Sequence, residues 1–289
     1  MFEKVLILTD FSEYSRRLLD CITGIQGIIE IILLHVIEDF RSPLGADTVE
    51  EFVKSAAEKS FQVEKRYLET ISPDIRVTPE LIISSDTAGT ILKTAEKNGV
   101  DLIIIGAYGI GMKTGLLTGD VESAILCRIS RINVLVMRHR ILETMTGKTY
   151  EKFCPMIFSR ILCPTNFSPD SERAIALAST MKGVGEIILL HVISPGDAKC
   201  GVQESARTVE MRIGAIRDTL TTKGIRSRVI VTTGDPASEI SGTAEKEDVS
   251  VIWINTYGKG CFHDFLLGSK VNDIVMNTRR PVIIIRGLD

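Results

Sequence analysis

The sequence predicts an α/β protein made of two copies of one domain, each an open, mostly parallel five-stranded sheet flanked by helices. Three observations carry that prediction. Short apolar runs alternate with amphipathic segments, and several runs are continuously apolar, as strands covered on both faces must be. The pattern then repeats: VLILTDFS opens at Val5 and ILCPTNFS opens 156 residues later at Ile161, while LLHVI begins at Leu33 and again at Leu189. Farther along, Ala107-Tyr108-Gly109 is answered by Thr256-Tyr257-Gly258, Gly119 by Gly268 and Val134 by Val282, at slightly shorter spacings. Differences so small belong to connecting segments, so one domain occurs twice. The boundaries expected are 1–140 and 157–289, with a polar, weakly periodic linker at 141–156, part of it helical.

In the first copy the strands are expected at Lys4–Leu8, Glu30–Val36, Arg76–Ile83, Asp101–Ile105 and Val134–Arg138. Ser12 follows the first of them and Ser168-Pro169 follows its counterpart; a capping Ser, in the second case with Pro at the first helical position, starts a helix. Val49, Phe52, Val53, Ala56 and Ala57 recur at helical spacing, as do Val209, Ile213, Ile216 and Leu220 in the second copy. The last helix of the first copy opens near Asp120, with Val121, Ile125 and Ile129 on one face.

Bulk properties exclude several classes. The chain has 289 residues, 44 % of them hydrophobic and 25 % charged, enough for two soluble globular domains. Its net charge is −3 and its basic residues are scattered, apart from a small cluster at Arg138, Arg140 and Lys148, so no nucleic-acid partner is expected. No apolar run nears the ~18 residues of a membrane helix. The opening MFEKVLILTDFS lacks the pattern of a signal peptide, so a cytoplasmic location is expected. Six cysteines without a C-x-x-C pair and four dispersed histidines give no metal cage. Trp253 reads as core, and His35 and His191 as hydrogen-bonded structural histidines at matching strand ends.

Candidate chemistry lies in DLIIIGAYGIGMKTGLLTGD, where five glycines follow an apolar strand and precede a helix. Ligands of open parallel sheets bind outside the carboxyl ends of the strands, and a helix N-terminus offers N–H groups to anions. Two familiar phosphate motifs fail here. Met112 separates Gly111 from Lys113 in an otherwise P-loop-like stretch, and GIGMKTG is one residue too long for G-x-G-x-x-G. A third pattern fits. Gly106-x-x-Gly109 is followed after nine residues by Gly119-Asp120, and Asn255-x-x-Gly258 after nine residues by Gly268-Ser269.

With that spacing, the LTDFS and CPTNFS openings, the LLHVI strands and the TTGDPA segment at Thr232–Ala237, both halves resemble the universal stress protein family. The resemblance implies two Rossmann-like domains, of the adenine nucleotide alpha hydrolase-like kind, binding ATP (with Mg²⁺) or AMP. It implies that Asp10 contacts adenine, that Val36 packs near base and ribose, and that Gly106, Gly109 and Gly119 bring backbone N–H groups to the phosphates. Thr9, Tyr108, Asp120 and Val121 belong to the same stretches. The second copy offers Thr165, Asn166, Val192, Asn255, Gly258, Gly268, Ser269 and Lys270. Each copy departs from the pattern, the first with Asp120 for Ser or Thr, the second with Asn166 for Asp and Asn255 for Gly.

The expected function is therefore regulatory binding of an adenine nucleotide, with at most slow incidental hydrolysis. No Ser/His/Asp arrangement, paired catalytic carboxylates or metal cluster recurs between the halves, so no enzyme is expected. The alternative is a scaffold that has lost nucleotide binding and acts through protein partners. The family also pairs domains through its last strand, here VLVM and VIII, which implies an intrachain pseudo-dimer and leaves a homodimer open. An adenylating enzyme is disfavoured by the lack of S-G-G-x-D-S and H-x-G-H motifs.

Overall fold

The computed structural model describes residues 2–38, 46–106, 124–126, 128, 131–138, 140–144, 147–151, 156–194, 206–255 and 269–286. Its first half runs β1 (Lys4–Leu8), α1 (Glu13–Leu19), β2 (Glu30–Glu38), α2 (Ala46–Ile71), β3 (Arg76–Ser84), α3 (Thr87–Lys97), β4 (Leu102–Gly106) and β5 (Asn133–Met137). All five strands lie within two residues of their expected positions. After a hairpin of β6 (Arg140–Thr144) and β7 (Gly147–Glu151), the second half repeats the order. It comprises β8 (Arg160–Pro164), α4 (Pro169–Ala178), β9 (Glu186–Ile193), α5 (Ala206–Thr222), β10 (Ser227–Thr233), α6 (Pro236–Lys246), β11 (Val251–Asn255), α7 (Ser269–Asn277) and β12 (Val282–Ile285).

The hairpin corrects the expectation of partial helix in the linker. Ile141, Thr144, Thr149 and Tyr150 favour extended backbone, and Ile141 pairs with Tyr150 and Leu142 with Thr149 in antiparallel register.

The other ten strands form one sheet, in the order β10-β9-β8-β11-β12-β5-β4-β1-β2-β3. Within each half all pairings are parallel. The halves meet through β12 and β5, which run antiparallel with Ile283 opposite Leu135. The pairing of VLVM with VIII thus occurs inside one chain. Alternate strand residues face opposite sides of the sheet, so two cores result, each continuous across the seam. Val5, Ile7, Leu33, Ile104, Leu189 and Trp253 belong to one. Leu6, Leu8, Ile32, Ile103, Ile188 and Ile252 belong to the other. Phe2 packs on Trp253 of the other half, ring centroids 6.3 Å apart.

Two details tie the elements together. At the end of β4, a Cβ on Gly106 would lie 2.7 Å from both the Leu18 Cδ1 and Tyr14 Cε1 atoms, so glycine here lets α1 press onto the strand. The repeat changes all three partners at once: Asp170, Ala174 and Asn255 stand where Tyr14, Leu18 and Gly106 stand. A smaller helix face there accepts the bulk of Trp253, whose indole N–H donates to the Ala174 carbonyl at 2.9 Å.

The seam carries the second detail. Arg138 and Arg286 follow β5 and β12, and both are buried. The Arg138 guanidinium donates to the Val275 carbonyl of α7, and that of Arg286 to the Leu126 carbonyl at 3.4 Å. Leu126, in the helical stretch 124–126 between β4 and β5, and Val275 of α7 are counterparts in the repeat, so each half's last strand sends an arginine to the helix that precedes the other half's last strand. Helix-end carbonyls lack intrahelical partners and carry the negative end of the dipole, and a guanidinium cannot shed its charge, so the two needs are met together.

Candidate functional site

Each half has strand order 3-2-1-4-5. The chain leaves its first strand in one direction toward the second and third, and the other two strands lie on the opposite side. A crevice therefore opens at the carboxyl ends of the first and fourth strands, where open α/β sheets bind ligands. In the first half this brings Thr9 and Asp10, after β1, beside Gly106, the last residue of β4. In the second half it brings Thr165 and Asn166 beside Asn255.

The turn after the first strand is built identically twice. Thr9 N–H donates to the Leu34 carbonyl at 3.0 Å and Thr165 N–H to the Leu190 carbonyl at 2.8 Å, so β2 and β9 fix where each turn starts. The third residue then enters left-handed backbone, Phe11 at φ 60° and Phe167 at φ 59°. That conformation costs a non-glycine residue about 1–2 kcal/mol. Local bonds hold it. Thr9 Oγ1 accepts from Phe11 N–H at 3.0 Å, and Asp10 Oδ1 accepts from Ser12 N–H at 3.0 Å. Ser12 Oγ caps α1 through Ser15 N–H at 3.1 Å. In the second half the matching bonds are 3.0 Å to Thr165, 3.1 Å to Asn166 and 3.2 Å to Ser168.

Each histidine sits behind its turn. The His35 ring nitrogen Nδ1 lies 2.7 Å from the Thr9 carbonyl, and that of His191 lies 2.9 Å from the Thr165 carbonyl. A carbonyl only accepts, so Nδ1 carries the proton in both. Burial holds His35 below the usual histidine range and so favours the neutral ring, against the bond to Thr9 and the charge of Asp10, which both favour the charged one. The Phe11 ring centroid lies 4.6 Å from that of His35, and Phe167 stacks on His191 at 4.5 Å.

The halves differ in what supports the turn from below. In the first, Glu64 of α2 is buried, and its Oε1 accepts from Thr9 Oγ1 at 3.0 Å. Its Oε2 has no hydrogen-bond partner among the described residues. Burial pushes this carboxyl up to about 7; the Thr9 bond and Arg16 pull it down, and the charge of Asp10 pushes it up. In the second half Arg212 of α5 takes over, donating to the Phe167 carbonyl at 3.0 Å with its guanidinium 4.4 Å above the Phe167 ring. Sequence reasoning missed both. Glu64 was signalled by an acid on the apolar stripe of Ala57, Phe61 and Leu68, where the repeat carries Val209, Ile213, Ile216 and Leu220.

The structure places Thr9, Thr165, Val36 and Val192 as buried residues at the carboxyl ends of their strands, with Asp10 partly exposed and Asn166 exposed. Asn255 ends β11, and Ser269 and Lys270 open α7, in keeping with a helix start after the second glycine run. Tyr108, Gly109, Gly119, Asp120, Val121, Gly258 and Gly268 lie outside the described residues. The crevice offers acceptors at Asp10. Asn166 Oδ1 likewise accepts from Ser168 N–H, and its amide nitrogen puts a donor where Asp10 has its second carboxylate oxygen.

The model of the universal stress protein family matches residues 1–138 and again 158–286. Universal stress protein MJ0577 of Methanocaldococcus jannaschii is 27 % identical over 156 residues, which are 45 % of this chain and 96 % of that protein. Among solved structures, a universal stress protein from Archaeoglobus fulgidus superposes with TM-score 0.75 at 21 % identity, covering 99 % of this chain and 97 % of that one. Protein PA1789 of Pseudomonas aeruginosa superposes with TM-score 0.64 at 17 % identity, covering 99 % and 92 %. The whole-chain superpositions speak for the fold, and the two family matches fall on the two halves of the sheet. The chain belongs to the universal stress protein family, as a member with two such domains in tandem.

Proposed function

We propose that this chain is a regulatory protein of the cytoplasm that binds an adenine nucleotide, AMP or ATP with its Mg²⁺, and changes its interactions accordingly. The carrying observation is the duplicated turn at the switch point. Two independent copies hold a phenylalanine in strained backbone by the same bonds and so aim an Asp or Asn side chain outward. Preorganised strain of this kind is retained where a ligand needs a fixed geometry. The first half is the better adenine site. The exocyclic amine of adenine donates, and Asp10 has a second carboxylate oxygen beyond the one held by Ser12 to accept it, where Asn166 has a donor that only a ring nitrogen of adenine can meet. The crevice is read as a binding site and not a catalytic one: the hydroxyl and carboxylate that do pair at the first turn, Thr9 and Glu64, are both buried, and Thr9 Oγ1 is tied to Phe11 N–H, so among the described residues no activated nucleophile faces the crevice.

Calorimetric titration of nucleotide-stripped protein with AMP and, separately, with ATP–Mg²⁺ tests this through stoichiometry. One AMP per chain, abolished by Asp10→Ala, is expected. One ATP per chain that survives Asp10→Ala would move the site to the second half. No binding by folded protein would reject the reading in favour of a scaffold. Turnover of ATP above about 1 s⁻¹ would make the protein an enzyme after all.

A further inference from the structure

We propose that Glu64 is a positioning residue for the first half's turn: its protonation state sets the direction of the Thr9 hydrogen bond, and through it the nucleotide affinity of that half alone. The affinity consequence rests on the function proposed above; the effect on the turn does not.

The reasoning is a proton inventory. Thr9 Oγ1 has one proton. It already accepts from Phe11 N–H, and it faces two further groups, Glu64 Oε1 at 3.0 Å and Ser15 Oγ at 3.3 Å. Ser15 spends its own proton on the Ser12 carbonyl at 3.1 Å, so it can only accept from Thr9. An ionised Glu64 can also only accept. Two acceptors thus compete for one proton, and the shorter contact goes to Glu64. Once Glu64 is protonated it can itself donate to Thr9, and the Thr9 proton returns to Ser15.

The second half shows that returned arrangement without a carboxylate. Thr165 Oγ1 lies 3.0 Å from Ser171 Oγ, and Ser171 donates to the Ser168 carbonyl at 2.8 Å. Ile216 stands where Glu64 stands. The Thr–Ser contact is shorter there than in the first half, as expected if Glu64 draws the Thr9 proton away.

Glu64 is placed to respond to pH. A groove of about 320 Å³ between α1 and α2 reaches it and gives protons a route. Arg16 and Arg17 face that groove from α1 together with Glu13, and Asp20 follows them at the end of the helix. Tyr67 of α2 itself donates its hydroxyl to Asp20. From the turn, Asp10 opposes a charge on Glu64, and from β2 the neutral His35 ring adds none. Burial then leaves the acid to change state near neutrality. An ionised Glu64 beside Asp10 adds negative charge under a site for an anionic ligand. The first half therefore binds its nucleotide more tightly as pH falls.

Two readouts test this on the full chain. Without nucleotide, the Phe11 amide resonance, whose N–H donates to Thr9, should step with a midpoint near pH 7. Phe167 should show no such step, and Glu64→Gln should abolish the step at Phe11. A wild-type Phe11 amide that does not titrate overturns the proposal, and this needs no variant to fold. With AMP, wild-type affinity should fall relative to Glu64→Gln by roughly tenfold between about pH 6 and about pH 8, a ratio that cancels titration of the phosphate itself. A flat ratio with a titrating amide overturns the affinity claim. Absence of AMP binding at every pH overturns the proposed function, and the amide alone then decides the role of Glu64.

Discussion

At the scale of single residues, Glu64 shows how a buried acid trades stability for responsiveness. Its carboxyl ionises at about 7 in the fold against 4.5 ordinarily. Folding therefore favours the protonated form: the stabilisation is complete below pH 4.5, decays as pH rises to 7 and is gone above it. The rise corresponds to about 3 kcal/mol. Glu64→Gln keeps the shape and cannot ionise, so it should match the wild type near pH 4.5 and exceed its stability at about pH 8 by up to that amount. Urea unfolding at the two pH values measures it; a variant less stable than wild type at the higher pH would contradict the burial argument. Legibility at this scale was uneven. Asp10 and Asn166 could be picked out from LTDFS and PTNFS because turn chemistry is local. The bond from Thr9 to Glu64 joins residues 55 apart, and only the fold brings them together. Gly106 was legible as a glycine that something needs, but the structure adds a packing reason, the Tyr14 and Leu18 side chains pressing on it.

At the scale of elements, strands were the most legible because burial on both faces writes them as unbroken apolar runs, as in LIIIG of β4 and VIWIN of β11. The linker misled because GKTYE carries strand-forming residues in a segment too polar to announce itself, and its pairing with RILET supplies the order. The crossed arginines were invisible for another reason: Arg138 read as one of a small basic cluster with Arg140 and Lys148, and only the fold shows it buried. They lead to a prediction across the two halves. In Arg138→Met the Val275 carbonyl loses its donor inside the protein, at a cost of about 1–3 kcal/mol. The loss falls on α7, a helix of the other half. The Thr278 amide, which donates to the Ile274 carbonyl at 3.0 Å at the end of that helix, should exchange with solvent roughly tenfold faster or more. The Ser72 amide, which donates to the Leu68 carbonyl at 2.9 Å at the end of α2, a helix packed on the sheet's outer strand β3, should keep its rate in the same experiment. Equal acceleration at both sites would show general loosening and not a clamp.

At the scale of the whole molecule, two domains share one sheet and two cores, and this decides how the chain unfolds. Tandem domains joined by a linker commonly melt separately. Here the antiparallel contact of β5 with β12 buries Leu135 and Ile283 fully, and each lies in a core that runs through both halves. A half unfolding alone would expose the edge of the other's last strand and leave the Val275 or Leu126 carbonyl without its arginine. The expected outcome is a single thermal transition with equal calorimetric and van't Hoff enthalpies. At about 0.7 kcal/mol per residue near 60 °C, the unit of 289 residues should give about 200 kcal/mol, and a half melting alone about half of that. Leu135→Pro removes a ladder donor from a buried central strand, whichever neighbour its N–H serves, at about 3 kcal/mol or more. Because the seam carries the damage to both halves, the variant should still melt in one step, at lower temperature. Two resolved transitions in the wild type would mean that the seam is weaker than either core, and that any signal passing from one crevice to the other must take a different route.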